Sequence, residues 1–372
     1  MKILLTAPNL DAASGGPSVV VTRLAAELLA QGHSVALVFM APLPGALQID
    51  PPPGAEVMRL PRIQNPLQRF RQFRQAIEIA IERWGAQLVH DHGMWLPENA
   101  SAASTAYKAG RPFISQPCGM LQDWPFANQR HKKMLAWHTY QRRLLTRAAA
   151  IIATSADEQQ ETARRLCRPE LLRRIPHGVD LPTLPVLAPQ RLRRAVFLGR
   201  LDPKKQVNLL LRAWTHLRPQ GWQLALAGGG DAAYVGELKD MAQQGGIANQ
   251  VQFLGPVHGE AKSLLLASSQ LFLQPSLHEN FGLSVAEAIA HGLPALTTTA
   301  MPWMTLEAAG GGWSVEPNEK AVTSGLAVAL NLPADTLISM GMQARKLASQ
   351  FSWSETAKQT VDLYKATIGI TS

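Results

Sequence analysis

The chain has 372 residues, too many for a single ordinary hydrophobic core, so its length predicts two domains. Hydrophobic residues make up 46% and charged residues 17%, a balance typical of folded proteins that argues against disorder. Apolar runs reach only about six to eight residues, too short to span a bilayer, and we expect no signal peptide before the first strand. The two cysteines, Cys118 and Cys167, indicate neither a disulfide framework nor a cysteine metal site, which fits a reducing cytosol.

The net charge of +9 is unevenly distributed, with +7 on the first 185 residues and +2 on the rest. Basic residues concentrate in Arg59–Arg83 and Arg130–Arg147. Such runs fit nucleic acid, an anionic membrane surface or solvated helix faces. Aromatic residues are not interleaved with them in a stacking pattern, so we expect no nucleic-acid partner. The helix around Arg69, Arg71 and Arg74 therefore has two possible interpretations, a contact with a membrane and a solvated surface.

In chain order, the first half alternates short apolar runs with amphipathic segments. The predicted strands cover Lys2–Ala7, Ser34–Met40, Gln87–His90, Pro112–Ser115 and Ala149–Thr154, and the clearest predicted helices cover about Ser18–Gln31 and Pro66–Trp84. Strands that alternate with helices predict a parallel sheet covered on both faces.

The segment Leu181–Gln190 contains three prolines and no periodic pattern, which is typical of a linker. A second alternating series follows it. Its predicted strands cover Ala195–Leu198, Gln223–Ala227, Val251–Leu254 and Leu271–Gln274, and its predicted helices cover Val207–Leu217, Val235–Gln244 and Glu260–Ala267, with helices to the end of the chain. We predict an α/β protein of two doubly wound domains, 1–183 and 184–352, with a C-terminal segment 353–372. Two such domains facing each other leave a central cleft, where ligands usually bind.

The stretch Gln274–Thr298 predicts a strand, a loop, a helix and another strand. Glu279 falls in the loop and Glu287 in the helix. Between them lie four residues whose backbone N–H groups lead into a helix N-terminus, where an anion is favoured: Asn280, Phe281, Gly282 and Leu283. This layout suits a phosphate with one carboxylate on each side.

A structural interpretation of the same stretch stays open. Ser284 as the N-cap and Glu287 three residues later would form an ordinary capping box. Gly292 and Pro294 then end the helix.

A basic loop follows the first strand of the second domain, where doubly wound folds place ligands. It reads GRLDPKK, and its Arg200 and Lys205 could neutralise a diphosphate. A basic surface loop is the alternative. Gly228, which opens a run of three glycines, and the pair Gly15 and Gly16 would let a ligand approach the backbone closely, although such runs are more often simple turns.

Two histidines flank Asp91 at the end of a predicted strand. His90 and His92 share one face of that strand, so a metal pair and a polar cluster are both compatible with them. No two aspartates are spaced as Asp-x-Asp, the usual carboxylate anchor for a nucleotide-bound metal. Arg200 and Lys205 would then supply the positive charge that a metal otherwise gives, so we expect no metal.

These motifs together resemble a known family. GGP near the start, GRLDPKK and PSLHENFGLSVAEAIAHGLP resemble the retaining family 4 (group 1) glycosyltransferases of GT-B fold. The closing FSWSETAKQTVDLY is similar to the last helix of that family, which crosses back onto the first domain. HGMWLPENA, SQPCGML and MPWMTLE resemble its bacterial exopolysaccharide branch.

The resemblance implies roles for the candidate residues. Arg200 and Lys205 would bind the donor diphosphate, Glu279 would lie beside the donor sugar, and Glu287 would hold the nucleotide ribose. Donor binding would also involve the glycines and the amides that lead into the helix: Gly15, Gly16, Gly228, Asn280, Phe281, Gly282 and Leu283. The implied chemistry is front-face transfer in which a donor phosphate takes the acceptor proton, without a cofactor.

The chain departs from the family pattern at two places. Gln206 stands where the family often has glycine, and Gln116–Met120 lacks the usual histidine of the first domain. The nearest substitute is His90–Gly93, one strand earlier, which makes His92 the catalytic candidate there.

The sequence therefore predicts a cytoplasmic, metal-independent, retaining glycosyltransferase. It would move a sugar from a nucleotide-diphospho-sugar to a saccharide or lipid-linked acceptor in bacterial polysaccharide or glycan synthesis, with a peripheral contact at the inner face of an anionic membrane. The alternatives are a nucleotide-sugar 2-epimerase of the same fold and a catalytically silent binding subunit.

Overall fold

The computed structural model describes residues 1–12, 15–183 and 191–369. The chain divides into two compact units. Unit 1 comprises the chain up to Gly178 together with the segment from Trp353 onward, and unit 2 comprises Val179–Ser352. Most of the expected linker, including the boundary at 183/184, falls on residues 184–190 outside the described ranges, so that domain boundary stays a prediction.

Unit 1 is built on a parallel sheet of seven strands. The strands are β1 (Lys2–Asn9), β2 (Ser34–Met40), β3 (Glu56–Leu60), β4 (Leu88–His92), β5 (Phe113–Gln116), β6 (Ala150–Ala153) and β7 (Leu172–Arg174). They lie in the order β3-β2-β1-β4-β5-β6-β7. The register places Leu5 of β1 beside Leu37 of β2 and His90 of β4.

The helices of unit 1 connect these strands as crossovers. They are α1 (Gly16–Ala30), α2 (Pro66–Ile79), α3 (Pro97–Lys108), α4 (Asp123–Ala127), α5 (Arg130–Ala136), α6 (Arg142–Leu145) and α7 (Ala156–Leu166). A π-helical turn, Ala80–Trp84, extends α2, and another, Trp137–Gln141, joins α5 to α6.

Unit 2 repeats the architecture with six parallel strands. The strands are β8 (Arg194–Leu198), β9 (Gln223–Ala227), β10 (Val251–Gly255), β11 (Leu271–Leu273), β12 (Ala295–Thr298) and β13 (Gly312–Val315), in the order β10-β9-β8-β11-β12-β13. The helices are α8 (Val207–Leu217), α9 (Ala232–Gln244), α10 (Gly259–Ala267), α11 (Leu283–Ala290), α12 (Thr305–Ala308), α13 (Glu319–Leu330) and α14 (Ala334–Ala348).

Each sheet is buried on both faces, which explains the nearly continuous apolar strands. In β1, Leu4 packs into the core on one face of the sheet, and its neighbours Ile3 and Leu5 pack into the core on the other. The prediction of two doubly wound parallel sheets is confirmed.

The last helix, α15 (Trp353–Ile368), belongs to unit 1. Its Val361 and Tyr364 pack in the same core as Ile3 and Leu5 of β1. Tyr364 is fully buried, and its hydroxyl lies 2.6 Å from Nδ1 of His90. The expectation that the final helix packs on the first domain is therefore confirmed.

Within the described ranges, no single helix is both long enough and apolar enough to cross a membrane. Among the residues that the structure describes, α13 and α14 taken together reach that length and composition, and they are bent by 114°.

Candidate functional site

The order of strands reverses in each sheet between two central neighbours. In unit 2 those neighbours are β8 and β11, and ligands of doubly wound sheets bind where the loops that follow such strands separate. The loop after β8 carries Arg200 and Lys205, and the loop after β11 carries Glu279. Two separate sequence motifs thus meet at one edge of the sheet.

An ion pair joins the two loops. The ammonium of Lys205 donates to Oε1 of Glu279, and the two side chains are only 16% and 11% exposed. The backbone supports the contact, because the N–H of Leu277 donates to the carbonyl of Lys204 at 2.9 Å. Nε2 of Gln274 lies 3.3 Å from the same carboxylate oxygen. The pair is therefore held by both main-chain and side-chain contacts.

The electrostatics of this site favour a charged Glu279. Burial by itself raises the pKa of this carboxyl, but the charges of Lys205 and Lys204, with hydrogen bonds from Lys205 and Ser276, outweigh burial and hold the pKa below its usual value. Burial is also the main reason that the pKa of Lys204 is lowered; the charge of Glu279 opposes this shift, and the charges of Lys205 and Arg200 add to it. Glu279 is therefore an anion at neutral pH among three cations.

Arg200 and Lys204 complete this cationic edge. Arg200 is exposed, and its guanidinium makes no hydrogen bond or ion pair with any residue of the described part of the chain. Lys204 is half-buried in the same loop. Lys204 belongs to the GRLDPKK motif, but no role was predicted for it, although its position next to Lys205 could have indicated one.

The backbone turns sharply into α11 after Glu279. Gly282 is the N-cap, with a φ of 77° in the left-handed region, and α11 begins at Leu283. A Cβ at Gly282 would lie 2.9 Å from Nε1 of Trp303, which donates to the carbonyl of Phe281 at 2.6 Å. Glycine is therefore required here by both backbone conformation and space. The first N–H groups of α11 lack intrahelical acceptors, which suits an anion.

The capping-box interpretation is wrong. Ser284 lies inside α11, and its hydroxyl donates to Oε1 of Gln274 at 3.3 Å instead of capping the helix. The helix starts earlier than expected because Gly282 can adopt the left-handed conformation. The prediction that Gly292 follows the helix end is confirmed by its φ of 71°.

Glu287 makes an ion pair that the sequence did not reveal. Nζ of Lys262, in α10, donates to Oε1 of Glu287 at 2.7 Å. Both side chains are about one-quarter exposed, at 27% and 23%. The pairing of an α10 lysine with an α11 carboxylate depends on tertiary packing, so no local pattern could have indicated it.

Close packing between two loops requires glycine at position 228. A Cβ there would lie 1.8 Å from the carbonyl oxygen of Gly199, and the N–H of Gly199 donates to the carbonyl of Ala227 at 2.9 Å. The loops after β8 and β9 therefore lie too close for a side chain. The expected role of Gly228 in donor binding stays a prediction.

The remaining site candidates belong to unit 1. Gly15 is the N-cap of α1, with a φ of 72°, and Gly16 is its first residue. His92 ends β4, and β4 and β1 flank the point at which the strand order of the first sheet reverses. These three residues thus occupy the part of unit 1 that corresponds to the cationic edge of unit 2.

His92 is more deeply buried than the sequence suggested. It is 1% exposed, and neither ring nitrogen has a hydrogen-bond partner among the described residues. Burial lowers the pKa of His92 to about 4, so its imidazole is neutral at pH 7. Its ring centroid lies 4.2 Å from that of His90. Its catalytic role stays a prediction.

Asp91 forms a buried polar network beside these histidines. Its carboxyl oxygens accept from Oγ1 of Thr6 at 2.6 Å and from Nδ2 of Asn99 at 3.0 Å. Burial raises the pKa of Asp91 to about 8, although both hydrogen bonds oppose this effect. Among residues 1–12, 15–183 and 191–369, no group of three or more His, Cys, Asp and Glu side chains could hold a metal ion.

Comparison with family models accounts for both units. Residues 15–178 match the model described as "Glycosyl transferase 4-like domain", and residues 186–347 match "Glycosyl transferases group 1". Both matched models describe glycosyltransferase domains, and each covers less than half of the chain. The loops with Arg200, Lys205 and Glu279, and helix α11 with Glu287, all lie within the second matched segment, 186–347.

The chain is also similar in sequence to curated proteins that are named as glycosyltransferases. The chain is 27% identical over 312 residues to the D-inositol 3-phosphate glycosyltransferase 2 of Catenulispora acidiphila, an alignment that covers 78% of this chain and 67% of that protein. Across eight curated relatives, the chain spans from 39% to 69% of their own lengths.

Solved structures of similar fold cover the whole chain. Sucrose-phosphate synthase from Thermosynechococcus elongatus has a TM-score of 0.80 at 20% identity, with 100% of both chains covered. Anabaena HepE in complex with UDP and glucose has a TM-score of 0.78 at 20% identity, covering 98% of this chain and 100% of that one. Such neighbours are GT-B glycosyltransferases, so the predicted GT-B fold is confirmed.

The Lys205–Glu279 pair predicts a specific pattern of stability. At pH 7, Lys205→Met should cost about 3 kcal/mol, because it leaves a nearly buried carboxylate without its main partner. The double variant Lys205→Met/Glu279→Gln should regain most of this loss, since no charge remains to be paired. Urea unfolding of the wild type, both single variants and the double variant measures the coupling.

The same pair predicts a pH dependence. Because the pKa of Glu279 is lowered, its contribution is present above the unfolded carboxyl pKa of about 4.3 and is lost as pH falls through the lower folded value. The stability difference between wild type and Glu279→Gln should therefore be constant near neutrality and shrink in acid. A difference that grows in acid would contradict this assignment.

Gly228→Ala should destabilise unit 2 by about 3 kcal/mol or more, because its methyl group would overlap the Gly199 carbonyl. The matched control is Gly236→Ala in α9, where a Cβ meets nothing within 4 Å. That control should be neutral or stabilise by up to about 1 kcal/mol. Thermal melting of both variants makes the comparison, and equal melting temperatures would refute the packing argument.

Proposed function

We propose that this protein is a metal-independent, retaining glycosyltransferase of the cytoplasm, which moves a sugar from a nucleotide-diphospho-sugar to a saccharide or lipid-linked acceptor in glycan synthesis. The observation that carries the proposal is the Lys205–Glu279 ion pair beside the exposed Arg200, at the reversal of strand order in unit 2. A bound diphosphate there would meet cations on one side and a single carboxylate on the other.

The first part of the proposed mechanism is diphosphate binding. The guanidinium of Arg200 has no partner among the described residues and can bind two phosphate oxygens with its planar fork. Lys205 supplies a second charge by turning from Glu279 toward the phosphate, and the first N–H groups of α11 supply uncharged donors. Glu287 lies near the middle of α11, where its carboxylate would accept from the ribose hydroxyls of the nucleotide.

The second part is the transfer itself. The bond between the anomeric carbon and the phosphate oxygen breaks, and its electron pair leaves with the diphosphate. The acceptor hydroxyl oxygen forms the new bond on the same face, and its proton goes to the departing phosphate oxygen. Fixed cations such as Arg200 and Lys205 stabilise the leaving group by about 3 kcal/mol for each good contact. The Glu279 carboxylate stabilises the positive charge that develops on the sugar ring.

Known relatives support the donor class. Anabaena HepE has been solved with UDP and glucose, and a relative from Catenulispora acidiphila is named as a D-inositol 3-phosphate glycosyltransferase. The O-antigen chain mannosyltransferase B of Escherichia coli is 30% identical over an alignment of 196 residues that covers 49% of each protein. These names make a nucleoside diphosphate the first ligand class to test.

Arg200→Ala should weaken binding of the preferred nucleoside diphosphate by roughly 1.5–3 kcal/mol, because a charge-assisted contact is lost. A thermal-shift screen across UDP, GDP, ADP and their sugars first identifies the nucleotide, since stabilisation grows with ligand concentration over dissociation constant. Calorimetry then compares wild type, Arg200→Ala and the control Arg212→Ala. Arg212 pairs with Glu319 on the exposed surface and should leave affinity unchanged. Equal affinity in all three proteins would refute the diphosphate assignment.

Transfer should survive EDTA and give a product with the anomeric configuration of the donor. The first expectation follows from two protein cations beside the diphosphate, and the second from front-face attack. Proton NMR of the product reports its configuration, and activity is compared with and without added Mg²⁺. Activity lost with EDTA and restored by Mg²⁺, or an inverted product, would overturn the mechanism. Conversion of the sugar nucleotide without any acceptor would indicate an epimerase.

A further inference from the structure

Gln206 has an unusual backbone conformation for a residue with a side chain. It lies between the turn Pro203–Lys205, which carries the two lysines of the candidate site, and helix α8, of which it is the N-cap. Its φ of 51° is in the left-handed region, where a side chain costs free energy that glycine avoids. Its N–H donates to the carbonyl of Pro203 at 3.1 Å, and its carbonyl accepts from the N–H of Leu209 at 2.9 Å. Backbone hydrogen bonds on both sides therefore hold this conformation in place.

The side-chain amide of Gln206 is also in an unfavourable state. Its oxygen, Oε1, is buried and has no hydrogen-bond partner in the described part of the chain. Burial of an amide oxygen without a hydrogen-bond donor costs free energy, because the oxygen has lost its contacts with water and gained none in exchange. A strained backbone and an unpaired polar atom thus coincide at the residue that directly follows Lys205. Such a coincidence is typical of functional sites.

Other left-handed residues of this chain show how a purely structural position differs. Sγ of Cys167 and Nη2 of Arg218 both donate to backbone carbonyls, at 3.5 Å and 3.1 Å. Gln129 has a φ of 54° and is the N-cap of α5, but it is exposed, so water can pair with its amide. Gln206 differs from these three residues because its amide oxygen is shielded from water and meets no donor among the described residues.

The chemistry of an amide oxygen limits what its partner can be. The oxygen accepts and cannot donate, so the ionised diphosphate, whose oxygens carry no proton, is excluded as its partner. In the proposed complex, Glu287 on α11 would hold the ribose, whereas Glu279, which pairs with the adjacent Lys205, would lie beside the sugar. The hydroxyl groups expected nearest to Gln206 are therefore those of the transferred sugar.

We propose that Oε1 of Gln206 accepts a hydrogen bond from one hydroxyl group of the sugar in the nucleotide-sugar and so helps to select which sugar is transferred. The inference rests on the proposed function, because it needs a nucleotide-sugar bound beside Lys205. The sugar hydroxyl supplies the hydrogen-bond donor that the buried oxygen lacks. A sugar without this hydroxyl leaves the oxygen unpaired, and a site that leaves its own polar group unpaired discriminates against such a ligand.

Calorimetry with the full chain tests the proposal. Gln206→Met keeps a side chain of similar length and removes the acceptor. It should weaken binding of the preferred nucleotide-sugar roughly three- to tenfold and leave the affinity for the matching nucleoside diphosphate unchanged. Nucleotide-sugars that each lack one sugar hydroxyl then locate the contact. The analogue without the partner hydroxyl should bind wild type and Gln206→Met equally, whereas the other analogues should retain the difference.

Melting temperatures separate this role from a structural one. Gln206→Gly and Gln129→Gly each relieve a left-handed side chain, so each should raise the melting temperature by about 1–3 °C. Gln129→Gly is the matched control, because the residue type, the backbone conformation and the N-cap position are the same. It should leave the affinity for the nucleotide-sugar unchanged. Gln206→Gly should be more stable than wild type and yet bind the nucleotide-sugar as weakly as Gln206→Met does.

Several outcomes would overturn the proposal. Equal losses of affinity for the nucleoside diphosphate and for the nucleotide-sugar would assign Gln206 to phosphate binding. Unchanged affinity for the nucleotide-sugar in both Gln206 variants would leave a buried water as the partner of the amide oxygen. An effect confined to the KM of the acceptor would place the oxygen on the acceptor side, and a lower melting temperature in Gln206→Gly would give the side chain a structural role. Wild type that binds no nucleotide-sugar at all would refute the proposed function itself, which distinguishes the two failures.

Discussion

The ion pair between Lys205 and Glu279 ties together two loops that are 74 residues apart in sequence. Without it, the three cations of the loop after β8 would have Asp202 of the same loop as a partial counter-charge, and the loop after β11 would hold a nearly buried carboxylate. The pair therefore holds the ammonium of Lys205 and the carboxylate of Glu279 at the same edge of the sheet in the absence of a ligand. In the proposed mechanism, a diphosphate that takes Lys205 as its partner would leave Glu279 without its nearest counter-charge, beside the sugar on which positive charge would develop during transfer.

Much of the fold could be predicted because parallel sheets have a strong sequence signal. Strands buried on both faces, such as β2 and β9, form continuous apolar runs between amphipathic helices. Three of the four edge strands lack this signal, so β3, β7 and β13 were not anticipated, whereas the edge strand β10 was. The pattern of β3 is mostly exposed, and β7 has only three residues. The start of α9 was placed too late because the cap at Asp231 was missed; its side chain accepts from the N–H groups of Ala233 and Tyr234.

The charged residues of the candidate site could be predicted because each lies in a loop that directly follows a strand. Arg200, Lys205 and Glu279 follow strands in the sequence, and the strand order brings them to the same edge. The sequence could not reveal the Lys262–Glu287 pair or the contact that excludes a side chain at Gly228, because both depend on how distant segments pack.

The most direct test of the account compares nucleoside diphosphate affinity with turnover in two variants of the same ion pair. Lys205→Met should bind the diphosphate more weakly than wild type, because a phosphate partner is gone. Glu279→Gln should bind it at least as tightly, because Lys205 is released from its competitor, and yet its turnover should fall at least about 100-fold. Wild-type turnover in Glu279→Gln, or unchanged diphosphate affinity in Lys205→Met, would contradict the account.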